Sequence, residues 1–167
     1  MIDIRVGIIG LGSVGQGVVQ IINDNISLIE KKTNTKISII GVSGKNKNKH
    51  RDVQIDRYQW YDDPISLAGN ENADIIIELI GGEDGVAFEV VESAIKAGNH
   101  VITANKALLA KNGNYLFELA EKIGVKLLFE AAIAGTIPII KTLKESVASN
   151  TISAIYFCLF GFKIHEC

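Results

Sequence analysis

Short apolar runs alternate along the chain with longer stretches in which apolar residues recur every three or four positions. Val6–Ile9 is a brief apolar run closed by Gly10, the signature of a strand buried on both faces. Val18, Ile21, Ile22 and Ile29 then follow helical spacing. Ile37–Val42 reads as a second strand, rich in β-branched residues, and Ile75–Ile80 as a third. Between them "WYDDP", residues 60–64, predicts a turn with Asp62 or Asp63 as a helix cap. Phe88, Val91, Ala94 and Ile95 mark a helix that Gly98 would end. His100–Thr103 is the next strand. Leu116, Leu119, Ala120 and Ile123 lie at i, i+3, i+4 and i+7 of a helix stopped by Gly124. Lys126–Phe129 predicts a further strand, and Ile139–Leu143 a helix entered behind Pro138. This alternation specifies an α/β fold, a parallel sheet with helices on both faces. There is no internal repeat.

Composition narrows this little. The chain has 167 residues, 47% of them apolar, enough for one domain with a real core and the start of a second. A net charge of −2 gives no argument for a nucleic-acid or membrane partner. Both cysteines, Cys158 and Cys167, fall in the last ten residues, which is neither a disulfide framework nor a metal-ligand spacing. A reducing cytoplasm is therefore the expected location. The opening "MIDIRVGIIG" lacks the form of a signal peptide, and no apolar stretch would span a bilayer.

"VGIIGLGSVGQG" sets Gly10, Gly12 and Gly15 as G-x-G-x-x-G between a strand and a helix, the context this motif requires. Gly10 permits the tight turn, Gly12 leaves room for a pyrophosphate, and Gly15 lets the helix approach the strand. The helix N-terminus then offers free N–H groups to phosphates. The expectation is a Rossmann-like doubly wound sheet binding a dinucleotide; a tight turn that binds nothing is the plain alternative. At the end of the second strand an NAD site usually has an acid for the ribose hydroxyl. Here Ser43-Gly44-Lys45 follows Val42, with no acid between Glu30 and Asp52. Ser43 offers a hydrogen bond and Lys45 a charge, which favours NADP or tolerance of both cofactors. "GKNKNKHRD", residues 44–52, otherwise reads as a solvated loop.

Ligands of open α/β sheets sit at the carboxyl ends of the strands. Three more segments end there. In "IIIELIGGEDG", residues 75–85, Gly81-Gly82 would let the chain pass close to a nicotinamide ribose. In "VITANKALLA", residues 101–110, Lys106 sits at a strand-to-helix corner. In "FEAAIAGTIPIIKTLKE", residues 129–145, a strand ends at Glu130 before a small-residue loop. Carbonyls beside one carboxylate are donors a hard cation takes, although small residues ordinarily signal tight packing.

Together, "VGIIGLGSVGQGVV", "ADIIIELIGG", "AIKAGNHVITANKALLA" and "FEAAIAGTIPIIKTLKE" resemble homoserine dehydrogenases in order and spacing, over residues 1 to about 156. "TANKALLA" and "FEAAIAGTIPII" are the most specific pieces. The resemblance implies interconversion of homoserine and aspartate 4-semialdehyde with NAD(P), on the route to threonine and methionine. It implies that Leu11, Ser13 and Val14 line the phosphate corner with the three glycines, and that Ile80 and Gly81 approach the nicotinamide. Lys106 would lie where cofactor meets substrate, stabilising alkoxide or moving its proton. A monovalent-cation site, such as one for sodium, would comprise Glu130 and the main chain of Ile133, Gly135 and Ile137. In the family a second lysine and acidic substrate ligands come from a later domain, and the full-length protein is expected to be a homo-oligomer.

After "ISAIY" the match breaks off: in "FCLFGFKIHEC", residues 157–167, only Leu159 and Gly161 fit the family pattern. The expected organisation is a Rossmann domain over residues 1–130 and, over 131–167, the first elements of a truncated α+β catalytic domain, from a truncated or frameshifted reading of a longer gene. A strand begun at Ile152, with Phe157, Phe160 and Phe162 unmatched, predicts a sticky, mobile C-terminus. The alternatives are a non-catalytic NAD(P)-binding regulator and a dehydrogenase of another semialdehyde or amino acid.

Overall fold

A computed structural model describes residues 1–133, 137–146 and 151. Six strands form one sheet: β1 (Ile2–Ile9), β2 (Thr35–Ser43), β3 (Trp60–Tyr61), β4 (Ile75–Glu78), β5 (His100–Thr103) and β6 (Leu127–Leu128). Their order is β3-β2-β1-β4-β5-β6, every pair parallel. The sheet therefore winds outward in both directions from β1, and a crevice opens where β1 and β4 lie side by side.

The strands alternate as their period of two requires. Val6, Ile8, Val42, Ile75 and Ile77 face a cluster with Val19 and Val18 of α1 (Ser13–Thr33). Ile9, Ile76 and Val101 face the other way, against α2 (Pro64–Ala68), α3 (Val86–Lys96) and α4 (Lys106–Ile123). There Leu67, Val90, Val91, Ile95, Leu108 and Leu116 are fully buried. Two cores on two faces explain why the strands read as continuous apolar runs.

Asp63 is the cap of α2: its carboxylate accepts from the N–H groups of Ile65 and Ser66, each at 3.0 Å, ahead of Pro64 in the first turn. Gly98 ends α3 as expected, at φ +83° just past Ala97, its N–H bonding Ile95 O and the Asn99 N–H bonding Ala94 O. Other boundaries moved. Trp60 and Tyr61 form an edge strand, with Trp60 paired to Val42 and Tyr61 to Ser43, where a turn was expected. β4 stops at Glu78 and β6 at Leu128. Glu130 opens a short helix, α5 (Glu130–Ile133), instead of ending a strand. The helix behind Pro138 is α6 (Ile139–Lys141), continued as a π-helical turn over Thr142–Ser146. Gly135 and the predicted strand and tail over 152–167 lie outside the described residues.

Candidate functional site

Register brings the candidate residues to one edge. Ile9 of β1 pairs with Glu78 of β4, and Glu78 with Thr103 of β5. The glycine corner, the 79–85 loop and the Asn105–Lys106 corner are thus consecutive exits along one side of the sheet.

At the glycine corner, Gly10 has φ +103°, and a Cβ there would lie 2.5 Å from the Leu79 carbonyl oxygen. Only glycine turns the chain so sharply against the neighbouring exit. A Cβ on Gly15 would strike the Gly10 carbonyl, so that glycine too belongs to the fold. A Cβ on Gly12 would meet nothing within 4 Å. The protein leaves open the space that a pyrophosphate would fill. Gly12 is the N-cap of the 21-residue α1, without a side-chain cap and without an acid in the first turn. The positive end of the helix is left for an anion. Ser13 and Val14 are exposed beside it, whereas Leu11 turns its side chain into the core.

Ser43 is buried, and its carbonyl accepts from the Gly10 N–H at 2.9 Å, which ties the end of β2 to the glycine turn. Lys45 is exposed. The basic loop beyond it is ordered around Arg51. That guanidinium donates to the carbonyls of Asn46, Lys47 and Lys49 at 2.7–3.1 Å and lies over the Trp60 ring, 5.3 Å from its centre. The loop walls a groove of about 370 Å³ whose charged lining is Lys47, Lys49, Arg51, Asp52 and Asp56. The stretch is the exposed loop that composition led one to expect, and the Trp60 partner of Arg51 sits in the unanticipated edge strand.

Ile80 is half-buried and Gly81 exposed at φ +80°. Their N–H groups donate to one oxygen of Glu78, at 2.7 and 3.3 Å. The other carboxylate oxygen accepts from the Thr103 hydroxyl at 2.6 Å, which in turn accepts from the Asn105 N–H at 3.0 Å. Asn105 caps α4, its side-chain oxygen accepting from Leu108 N–H at 3.1 Å while its amide donates to Gly82 O at 2.6 Å. Farther out, Lys111 bonds Glu83 and Asp84, and Asn112 the Glu83 carbonyl. The Lys111 ammonium holds the Asp84 carboxyl below its ordinary range. Glu78, Thr103, Asn105 and Arg51 were not singled out from sequence. The signal available was polar residues at strand ends, where an apolar run would otherwise continue.

Lys106 is exposed at the first position of α4, with no ion pair or hydrogen bond among the described residues. Its charge adds to the positive helix end. Glu130 lies beyond β6, at the first position of α5. Its two oxygens accept from the N–H groups of Ile140 and Lys141 at 3.2 and 2.6 Å. Ile133 and Ile137 are exposed near it in sequence. Among the described residues no group of three or more His, Cys, Asp or Glu side chains converges.

The family model for the homoserine dehydrogenase NAD-binding domain matches residues 10–130. The chain belongs to the homoserine dehydrogenase family. It is 41% identical over 155 residues to the homoserine dehydrogenase of Neisseria gonorrhoeae, covering 93% of this chain and 35% of that one. For the Pseudomonas aeruginosa homoserine dehydrogenase the identity is 38% over 153 residues, covering 92% and 35%. The crystal structure of a homoserine dehydrogenase from Thiobacillus denitrificans superposes with a TM-score of 0.79 at 38% identity, over 89% of this chain and 34% of that one. The S. aureus homoserine dehydrogenase at pH 7.5 gives 0.74 at 38% identity, over 80% and 34%. The chain thus spans about a third of the length of these relatives. Its fold is the nicotinamide-cofactor domain of the family. No helix among the described residues is long and apolar enough to cross a membrane.

Proposed function

We propose that this chain is the cofactor-binding part of a homoserine dehydrogenase, with a domain boundary near residue 130, that interconverts L-homoserine and L-aspartate 4-semialdehyde in threonine and methionine biosynthesis. The observation that carries it is the alignment of the three strand exits, with open space at Gly12 beside an uncapped helix end. The pyrophosphate would lie on the N–H groups of Ser13, Val14 and Gly15, and Leu11 would contribute main chain only. Ile80 and Gly81 would border the nicotinamide. Lys45, with Arg51 behind it, would meet a 2′-phosphate, so NADP is preferred and NAD accepted; Ser43 acts from beneath by holding Gly10.

When bound, the nicotinamide accepts or supplies the hydride. Lys106 would then lie near the substrate oxygen. Its ammonium and the α4 helix end would stabilise negative charge as the alcohol loses its proton. Glu130, with carbonyls of Ile133, Gly135 and Ile137, offers the oxygen donors that suit a monovalent cation such as sodium, and a carboxylate that accepts two N–H bonds keeps further lone pairs. In the full-length protein of the cytoplasm this domain would act within a homo-oligomer, on a small-molecule substrate and without nucleic acid or membrane.

The test is an NADPH titration by fluorescence on the purified chain, followed by an assay of homoserine oxidation. Binding without efficient turnover is expected, since the chain spans 35% of the length of its relatives. No binding at millimolar NADPH would refute the cofactor reading, and substantial turnover would refute its incompleteness. NADPH-dependent assembly without activity in any longer form would instead favour a regulatory module.

A further inference from the structure

Glu78 is fully buried and has no cationic partner among the described residues. In each of its three hydrogen bonds the carboxylate accepts: from Ile80 N–H and Gly81 N–H on one oxygen, and from the Thr103 hydroxyl on the other. Thr103 donates the last of these bonds, and its oxygen also accepts from Asn105 N–H. A carboxylate withdrawn from water at a strand end requires such donors, and those donors belong to two different exits from the sheet. Two serve the 79–85 loop. The third leads through Thr103 to Asn105, which bonds back to Gly82 and caps the helix carrying Lys106. Residues 81–85 are exposed, and a Cβ on Gly81, Gly82 or Gly85 would touch nothing within 4 Å. Apolar packing therefore does not set the path of this segment; polar contacts from Glu78, Asn105, Lys111 and Asn112 do.

We propose that Glu78 is a positioning residue that locks the 79–82 loop and the Asn105–Lys106 corner into one unit, and thereby fixes the seat of the nicotinamide half of the cofactor. The second clause rests on the cofactor reading above; the first stands on the geometry alone. Glutamine at this position has nearly the same shape but only one accepting oxygen. Its NH₂ group must face either the two loop N–H groups or the Thr103 oxygen; in the second pose the Thr103 bond reverses, the hydroxyl proton loses its acceptor and the loop bonds lose their charge assistance, so the lock is weakened.

The experiment uses the whole chain with Glu78→Gln and with Thr103→Val, which removes the arm to β5 together with the direct acceptor of the Asn105 N–H. Two ligands are titrated: NADPH, and adenosine 2′,5′-bisphosphate, which lacks the nicotinamide half. Loss of charge assistance across this buried network is expected to weaken NADPH about tenfold in Glu78→Gln, with the bisphosphate changed less than about twofold. Amide exchange of Ile80, Gly81 and Asn105 in the ligand-free chain should accelerate together, while that of Val101 in the core should not. In Thr103→Val the Asn105 amide accelerates most. Equal weakening of both ligands, or unchanged NADPH affinity, would overturn the seat; unchanged exchange at Asn105 would overturn the lock. If the wild-type chain binds neither ligand, the cofactor reading and the seat fall together, and exchange alone decides the lock. If Glu78→Gln does not fold, Thr103→Val decides both, the lock through the exchange of Ile80 and Gly81, whose own hydrogen bonds that variant leaves in place.

Discussion

Replacing Gly12 by alanine separates the stability of the fold from the use of its crevice. The added methyl meets no heavy atom within 4 Å, and φ −76° with ψ −165° is extended backbone that alanine adopts freely. As an N-cap, alanine is worse than glycine by roughly 0.5–1 kcal/mol. Reduced freedom of the unfolded chain offsets that by about 0.4–1 kcal/mol. The unfolding free energy is therefore expected to move by less than about 0.5 kcal/mol, near the noise of urea unfolding. In the proposed binding mode the same methyl would stand where phosphate oxygens reach the first N–H groups of α1. Displacing one such oxygen loses a charge-assisted hydrogen bond of about 1.5–3 kcal/mol, so the Kd for NADPH should rise roughly 10- to 150-fold. Gly10→Ala is the contrasting variant. Its φ of +103° and a 2.5 Å approach to Leu79 O predict a marked loss of stability. Urea curves and fluorescence titrations of the three proteins check both halves. A folded Gly12→Ala chain that binds NADPH as tightly as wild type would refute the placement of the pyrophosphate. Equal destabilisation by both alanines would refute the claim that Gly12 is free of packing.

Ile76→Ala empties a fully buried site in the middle of the sheet and should lower the unfolding free energy by about 2–5 kcal/mol, seen as a lower urea midpoint. Lys45→Ala should weaken NADPH by about tenfold at low salt and leave NADH unchanged; equal effects on both would remove Lys45 from the 2′-phosphate. The Asp74 carboxyl is held below its ordinary value of 3.8, first by its hydrogen bond from the Arg5 guanidinium. Because the folded value lies below the unfolded one, this pair stabilises the fold above pH 3.8 and the contribution is lost as pH falls through the depressed value. Asp74→Asn should therefore lower the thermal midpoint at neutral pH, with the gap to wild type closing in acid; a gap that persists in strong acid would refute the assignment.

The order of strands and helices was legible because the central strands are buried on both faces and each long helix on one. Val6–Ile9 and the spacing of Leu116, Leu119, Ala120 and Ile123 carry that directly. The edge strand at Trp60–Tyr61 was not legible, since two residues show no period and Asp62-Asp63-Pro64 outweighs them as turn chemistry. Its pairing with β2 depends on the long-range contact of Trp60 with Val42, which local pattern does not encode. At the site, Gly10, Gly12, Gly15 and Lys106 could be picked out because motif and corner are local in sequence. The Glu78–Thr103 pair spans 25 residues and becomes adjacent only through the β4–β5 register. Ser43 was assigned as a ligand from its place at the strand's end; it is buried as the last residue of β2, and its carbonyl accepts from the Gly10 N–H.

The distribution of buried polar groups is itself an argument about where this fold works. Among the described residues, the buried polar or charged side chains are Ser43, Glu78, Asn99, Thr103 and Asn105. Asn99 lies before β5, where its amide ties down the carbonyls of Ala68 and Asn70 at 3.0 and 3.1 Å. The other four lie at or just beyond the carboxyl ends of β2, β4 and β5. A fold selected for stability alone would place apolar side chains there as readily as at Ile8 or Val101, because each buried polar group left unpaired costs about 1–3 kcal/mol. Concentrating that liability along one edge has a structural return. Hydrogen bonds fix direction as well as distance, and they hold loops whose outer faces must stay open to a ligand, where side-chain packing is not available. The open space over Gly12 and Gly81 and the buried polar row beneath them are thus two aspects of one requirement: a rim that is rigid without being filled.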